Sequence, residues 1–338
     1  MEQAQIKSLL QRKIFGHASA QIYNAYSQHI LKRLADCHTA GLGMHLYRCA
    51  SCTHQHHQYH SCGNRHCPNC GGLKREQWLQ DRMSELLPTT YFHLVFTLPQ
   101  ELRSIVMGNR RLLFTLLFEA STYTIRKLGM DKKYMGVTPG IVSILHTNGQ
   151  DLTFHPHVHC IVTGGGLSSE GKWQVERRRQ GNFLFPRRAM EKIFKGYFLD
   201  KIQQYHQQKL LKIEDENIFH ELIRKVRFKK WNVYAKAPFG GPQQIMEYLG
   251  RYTHKVAIST HRIKAITDDS ITFSYKDYQD KHKQKLMTLS HEEFLRRFEQ
   301  HILPKGFVKI RHSGFFEPSA QRGAAEKDLR AIAYNSPS

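Results

Sequence analysis

Nothing in this chain of 338 residues is long and apolar enough to read as a membrane span, and Met1–Gly16 has no signal-peptide pattern. Acid is also scarce. Twenty-eight Asp and Glu stand against 50 Lys and Arg, a formal net charge of +22, and 22 histidines can add to it beside a phosphate. Charge of that size speaks of partners and not of fold. Nucleic acid is the favoured partner, and an anionic membrane is set aside because neither a long apolar span nor a signal-peptide pattern is found. The sequence has no internal repeat, no low-complexity tract and no Gly-x4-Gly-Lys-Ser/Thr phosphate loop, so any strand unwinding must come from elsewhere. With 40% hydrophobic and 11% aromatic residues it can bury a core, and its length allows two domains. These features together read as an intracellular, cytoplasmic protein.

Five of the seven cysteines fall between Cys49 and Cys70, which in a reducing compartment argues for metal over disulfides. Cys49-x-x-Cys52 and Cys67-x-x-Cys70 are two knuckles with 14 residues between them, close to zinc-ribbon spacing. Two such turns close a thiolate tetrahedron around zinc. Cys62 and His66 between the knuckles, with Cys37 and His45 ahead of them, form a candidate second site; alternatively some of these are spare or exchange with a knuckle cysteine. His54, His56, His57 and His60 read as a wet surface. Arg65, Lys74, Arg75 and Arg82 fit phosphate contact or a solvated face.

Phe154-His-Pro-His-Val-His-Cys-Ile-Val162 carries three alternating histidines. Its β-branched apolar residues and the Gly164-Gly165-Gly166 stop predict a strand, beginning at or after Pro156 or lying at a sheet edge. Side chains two apart on a strand share a face, so His157 and His159 form half a shell for a divalent cation. A solvated or hydrogen-bonded pair is the plainer alternative. A cation would need a further ligand. His146, closing the neighbouring strand Gly140–His146, is the first choice and His155 the second.

The third signal is Pro242–Ile258, read as a helix opened by Pro242. Tyr248 and Tyr252 are neighbours one turn apart on it, followed by Arg251 and Lys255. Such aromatics commonly pack at the edge of an apolar stripe. A cation near a phenol nevertheless favours the phenolate, the form able to act as a nucleophile.

Elsewhere the pattern predicts two N-terminal helices broken at Gly16, a buried strand Tyr91–Leu98 and a helix Arg110–Leu128. A largely helical stretch Pro186–Leu211, a strand Trp231–Lys236 and a basic meander through Arg262–Ile266, Ile271–Tyr275 and Lys285–Leu289 follow. Ser290 with Glu293 predicts a capped helix start. Pro304–His312, with Lys309 and Arg311, looks suited to nucleic-acid contact and base stacking. The divisions expected are 1–88, a helical and zinc-binding domain; 89–285, a catalytic domain; and 286–338, a basic extension and tail.

His157-Val158-His159 followed by the Tyr248/Tyr252 pair resembles the HUH nucleases. More specifically, Cys62–Cys70, Phe92–Arg103, His155–Gly166, Tyr248–Ser259 and Pro304–Phe315 together resemble the rolling-circle transposases of the insertion-sequence-91 family, in family order over nearly the whole chain. The resemblance implies an α+β protein: an N-terminal zinc-binding domain, then a catalytic domain whose central antiparallel sheet is flanked by helices. It gives His157 and His159 the metal-ligand role and Tyr248 and Tyr252 the nucleophile role. Lys255 matches the Tyr-x-x-Lys arrangement of related replication initiators, while the third metal ligand of HUH enzymes varies among histidine, glutamine and glutamate. The implied cofactors are structural Zn²⁺ (one or two) and catalytic Mg²⁺ or Mn²⁺. Implied partners are single-stranded DNA, insertion-sequence end hairpins, target DNA and host replication or helicase factors, at a bacterial nucleoid. A replication initiator or relaxase with the same chemistry, and a non-catalytic zinc DNA-binding protein, are the competing readings.

Overall fold

The computed structural model describes residues 8–17, 24–70, 76–77, 79–81, 86–168, 172–175, 184–236, 239, 244–245, 250, 257–278 and 280–316. In chain order, α1 (Ala25–Ala35) leads to β1 (Met44–Arg48), β2 (Gln55–Tyr59) and β3 (Tyr91–Thr97). Then come α2 (Arg103–Gly108), α3 (Arg110–Met130), β4 (Thr138–Asn148), β5 (Phe154–Leu167) and β6 (Trp173–Val175). The chain continues through α4 (Arg187–Gln207), α5 (Glu216–Phe228), β7 (Asn232–Ala235), β8 (Ile263–Ile266), β9 (Ser270–Asp277) and β10 (Lys283–Ser290), ending in α6 (His291–Glu299) and β11 (Ile310–Ser313). Helices with antiparallel sheets make this an α+β protein, and none of the described helices is long and apolar enough to cross a membrane.

Two compact units divide the chain otherwise than the consecutive domains expected from sequence. The first takes residues 1–78, 148–154 and 254–305; the second takes 79–147, 155–253 and 306–338. The meander and α6 therefore join the cysteine-rich segment and not the large sheet.

In the first unit, Leu10, Ile14 and Phe15 meet Ile30, Leu31 and Leu34 of α1 and a buried layer of Ile263, Ile271, Phe273, Phe294 and Phe298. The meander forms a sheet ordered β10-β9-β8. Asn24 opens α1 by accepting the Ser27 amide at 2.9 Å. Ser290 does the same for α6, accepting the Glu293 amide at 3.2 Å, as the capping pattern predicts. Arg296 and Arg297 both bond the Glu293 carboxylate at 2.6 Å and hold it down to about 2. β1 and β2 form a separate ribbon with every residue exposed.

The second unit is built on a sheet ordered β11-β4-β5-β3-β7, with β6 added to the far end of β5. Strict alternation on β3 sends Phe92, Leu94 and Phe96 to one face and Tyr91, His93, Val95 and Thr97 to the other. Helices α3 and α4 cover the phenylalanine face. Phe96 meets Phe194 of α4 edge-on at 5.1 Å, Phe194 and Phe198 enclose Trp231, and Cys160 of β5 touches Ser143 and Ser121. Complete burial pushes the Cys160 thiol up to about 12, so it is a packing residue.

Two sequence expectations for β5 change. The strand begins at Phe154, runs through Pro156, and is central instead of lying at an edge. Proline is tolerated because pairing with β3 ends at Thr97↔His157; the Pro156 carbonyl still accepts the Leu98 amide at 3.4 Å. The glycine triplet does not stop the strand either, since Gly165 and Gly166 pair with Val175 and Gln174. A Cβ at Gly166 would lie 2.2 Å from the Thr138 carbonyl oxygen, and one at Gly165 would lie 2.6 Å from the Trp173 ring. Close approach of chain and ring demands glycine there.

Candidate metal centres and nucleic-acid interface

In the first unit the thiols of Cys37, Cys62, Cys67 and Cys70 converge, all within 4.8 Å of one another. The individual gaps are 3.2 Å for Cys37–Cys70 and 3.7 Å for both Cys62–Cys70 and Cys37–Cys67. The Cys62 amide donates to the Cys37 sulfur at 3.4 Å, and the Asn64 amide to the Cys62 sulfur at 3.5 Å. Neighbouring thiols stabilise charge at Cys62, lowering its pKa to about 2, while buried Cys37, beside that thiolate, is pushed up to about 12 and Cys67 is raised as well. Four sulfurs so close cannot all ionise without a cation among them, and soft thiolates in a closed set of four suit zinc.

That grouping corrects the spacing argument. Cys49 and Cys52 sit exposed at the turn joining β1 to β2, away from Cys67 and Cys70. The Cys49 sulfur accepts the local Ser51 amide at 3.4 Å and also interacts with Cys52. Cys37, which follows α1, takes the place of a knuckle because its helix packs into the same core. His45 and His60 bring their rings to 4.6 Å on the ribbon, and neither His45 nor His66 belongs to the thiol cluster.

The second unit gathers His146, His157 and His159, whose candidate ligand nitrogens also lie within 4.8 Å of one another. His157 and His159 share one face of β5, and His146 comes from the adjacent β4. Ring centroids stand 4.4 Å apart for His146–His159, 4.9 Å for His157–His159 and 5.4 Å for His146–His157. His157 Nδ1 lies 2.7 Å from the His155 carbonyl oxygen, which makes it the protonated donor and turns Nε2 to the cluster. His159 Nδ1 is engaged likewise, 3.0 Å from His93 Nε2. Burial first, then the charges of Lys236 and His157, pushes His93 down to about 3, so its ring is neutral. Three imidazoles, two of them with ring positions set by contacts behind them, suit a divalent cation and leave coordination positions for a substrate.

His155 stands outside this cluster. Its Nδ1 accepts from Arg103 Nη2 at 3.2 Å, and its ring lies 5.2 Å from that of His157. Neither His93 nor Arg103 was singled out from sequence. Parity supplies the missing signal for His93: it pairs with Ile161 across β3 and β5, so it shares the face of His159 one diagonal step away. Another grouping, His206, Glu216 and His220, lies at the α4–α5 turn, where His206 Nε2 already bonds the mostly exposed Glu216 carboxylate at 2.5 Å.

Tyr248, Tyr252, Lys255, Arg251, Lys74 and Arg75 lie outside the described residues. Arg65 is exposed and reaches the Pro304 carbonyl at 3.4 Å. Lys309 is half-buried, with its carbonyl accepting the Leu145 amide at 3.0 Å. Arg311 departs from the DNA-contact expectation. Its guanidinium lies over Phe118 at 4.4 Å and Phe307 at 5.3 Å and donates to Thr115 at 3.1 Å. Phe307 is itself buried against Phe114, so the one phenylalanine of this segment is a packing residue.

Comparison with known proteins covers the segments that hold both clusters. The family profile described as "Transposase zinc-binding domain" matches residues 9–98, which contain all four converging cysteines. The profile described as "Putative transposase" matches residues 140–324, which contain all three histidines. A protein named "Putative transposase y4qJ" from Sinorhizobium fredii is 40% identical over 311 residues, 89% of this chain and 78% of the relative. The transposase for insertion sequence element IS801 of Pseudomonas savastanoi pv. phaseolicola is 33% identical over 295 residues, 85% of this chain and 69% of the relative. Two solved structures of the conjugative relaxase TrwC with oriT DNA show only slight likeness. The metal-bound one has a TM-score of 0.27 at 13% identity over 34% of this chain and 43% of its own; the copper-bound one has 0.26 at 10% over 48% and 71%. On its relatives and matched family profiles, the chain belongs to the insertion-sequence-91 family of transposases.

Proposed function

We propose that this transposase cleaves and rejoins single-stranded DNA at insertion-sequence ends through a 5′-phosphotyrosine link. The observation that carries the reading is the convergence of His146, His157 and His159 on one face of two adjacent central strands. Mg²⁺ or Mn²⁺ bound there would polarise the scissile phosphate and offset charge on the departing oxygen. The protein's own part is to orient the three imidazoles, exclude competing protonation of their Nε2 atoms, and set Arg103 near the phosphate to counter its charge.

Tyr248 and Tyr252 are the proposed nucleophiles, with Arg251 and Lys255 favouring the phenolate. The phenol oxygen forms a bond to phosphorus while the bond to the 3′ oxygen breaks, and the leaving oxygen takes up a proton. The products are a tyrosine-linked 5′ phosphate and a free 3′-OH. Because the ester bond is exchanged and not hydrolysed, attack by a 3′-OH reverses the step and joins strands. Two tyrosines allow two 5′ ends to be held, or one strand to be passed between them. Zn²⁺ on the four thiols serves the fold of the first unit. Arg65, Lys74, Arg75 and Lys309 are proposed backbone contacts to end hairpins and target DNA, with unwinding left to host replication or helicase factors.

Incubation with a single-stranded element end and Mn²⁺ should give an SDS-resistant protein–DNA adduct. The Tyr248→Phe/Tyr252→Phe double variant should give none while keeping its zinc. A double variant that still captures DNA covalently overturns the choice of nucleophiles, and a wild-type protein that binds but never captures its ends favours a non-catalytic binding protein.

A further inference from the structure

We propose that His93 is a positioning residue for the metal centre, fixing His159 as the Nδ1-protonated tautomer so that its Nε2 faces the cation. The inference rests on the metal reading of the histidine cluster given above. His93 is buried, stands at 3.0 Å from His159 Nδ1 through its own Nε2, and lies nearly parallel to the His159 ring, at 5.2 Å and 7°. A hydrogen bond between two imidazole nitrogens holds one proton. Two arrangements are therefore open: His159 donates to His93, or His93 donates to His159.

The need for a bare ligand nitrogen at the cluster chooses between them. If His93 donated, His159 Nδ1 would be an acceptor and its proton would sit on Nε2, the nitrogen turned toward His146 and His157. A protonated Nε2 cannot ligate a cation, and it would also point a dipole's positive end at whatever charge the other two imidazoles gather. If His159 donates, its Nε2 lone pair faces the cluster, as His157 Nε2 does because the His155 carbonyl takes the His157 Nδ1 proton at 2.7 Å. Both β5 ligands then present the same nitrogen, each held by an acceptor behind it: a backbone carbonyl for His157, a side chain for His159.

The side-chain acceptor has a structural reason. His159 is opposite Val95 in the β3–β5 register, and His93 lies two residues along β3 on the same face. From that position an imidazole is long enough to reach diagonally to a neighbouring ring. Phe239 flanks His93 on another side, at 6.4 Å between ring centroids. Its carbonyl neighbour is also fixed, since the Lys236 amide donates to the His93 backbone oxygen at 3.0 Å. Strand β3 therefore arrives at the metal face with an acceptor already oriented.

Two measurements on the full chain test this. Long-range ¹H–¹⁵N spectra of histidine-labelled, triad-metal-free protein should show His159 protonated at Nδ1 and bare at Nε2; the opposite tautomer overturns the proposal without any mutation. Mn²⁺ affinity by electron paramagnetic resonance should fall about 10- to 100-fold in His93→Phe, which keeps an aromatic ring but accepts nothing, and should recover in His93→Gln, whose amide oxygen accepts. Zinc content and circular dichroism report folding separately. Wild-type protein that binds no Mn²⁺ sinks the metal reading itself. Wild type and folded His93→Phe that bind Mn²⁺ equally sink only the role of His93.

Discussion

The two metal-fitting clusters differ in chemistry, number and surroundings. The cysteine cluster has four soft sulfurs, with Cys37, Cys62 and Cys67 buried in the core formed by α1 and the meander. The histidine cluster has three nitrogens on a sheet face, with His146 and His159 buried and His157 half-buried. A closed set of four suits an ion that stays and holds the fold; a set of three leaves a position for an ion that must also take a substrate. On the proposed reading, ligand count and donor type separate the structural site from the reactive one.

Breaking the first cluster should have the largest effect. Cys67→Ser is expected to lose bound zinc and the cooperative unfolding of the first unit, because structural zinc supplies on the order of 10 kcal/mol of folding free energy. Cys49→Ser should retain the zinc held by Cys37, Cys62, Cys67 and Cys70, as metal analysis per chain would show. Zinc lost from both variants would restore the knuckle pairing suggested by spacing.

Breaking the second should spare the fold. His157→Ala is expected to slow adduct formation by about 10²-fold or more, the several kcal/mol that a Lewis acid contributes at a phosphate, with zinc content unchanged. Coupled loss of zinc and activity would contradict the division of labour.

Smaller effects sharpen the comparison at the periphery. Arg311→Lys should lower thermal stability by about 1 kcal/mol through lost stacking on Phe118 and Phe307, while the salt dependence of DNA binding stays as it was. A reduced salt slope would instead make Arg311 a phosphate contact. Glu293→Gln should cost about 0.5–1 kcal/mol at neutral pH, discounted for its partial exposure. The Glu293 carboxyl is held at about 2 in the folded chain against an ordinary 4.5. Below 4.5 the unfolded chain gains the proton first, so the advantage over Gln should fade as pH drops toward 2. Urea titrations at several pH values would measure it.

Much of this was legible in residue order. Alternation put His157 and His159 on one face, apolar runs located β3, β4 and α3, and Ser290 with Glu293 marked the start of α6. What failed had long-range causes. Cysteine spacing cannot see that α1 carries Cys37 into the same core as Cys62 and Cys67. Pro156 and the glycine triplet look like strand ends until the limits of the β3 ladder and the approach of Thr138 and Trp173 are known. His93 stood two residues before Val95 with no local mark, and only the register of β3 against β5 brought it to His159. Arg311 looked free because its partners, Phe118 and Thr115, lie almost 200 residues earlier.

Protease digestion of the denatured adduct followed by mass spectrometry tests the proposed chemistry most directly. The account predicts nucleotide mass, attached through a 5′ phosphate, on peptides carrying Tyr248 or Tyr252, together with a free 3′-OH on the released strand that a polymerase can extend. Cleaved DNA with unmodified 5′ phosphates and no nucleotide on either tyrosine would contradict it.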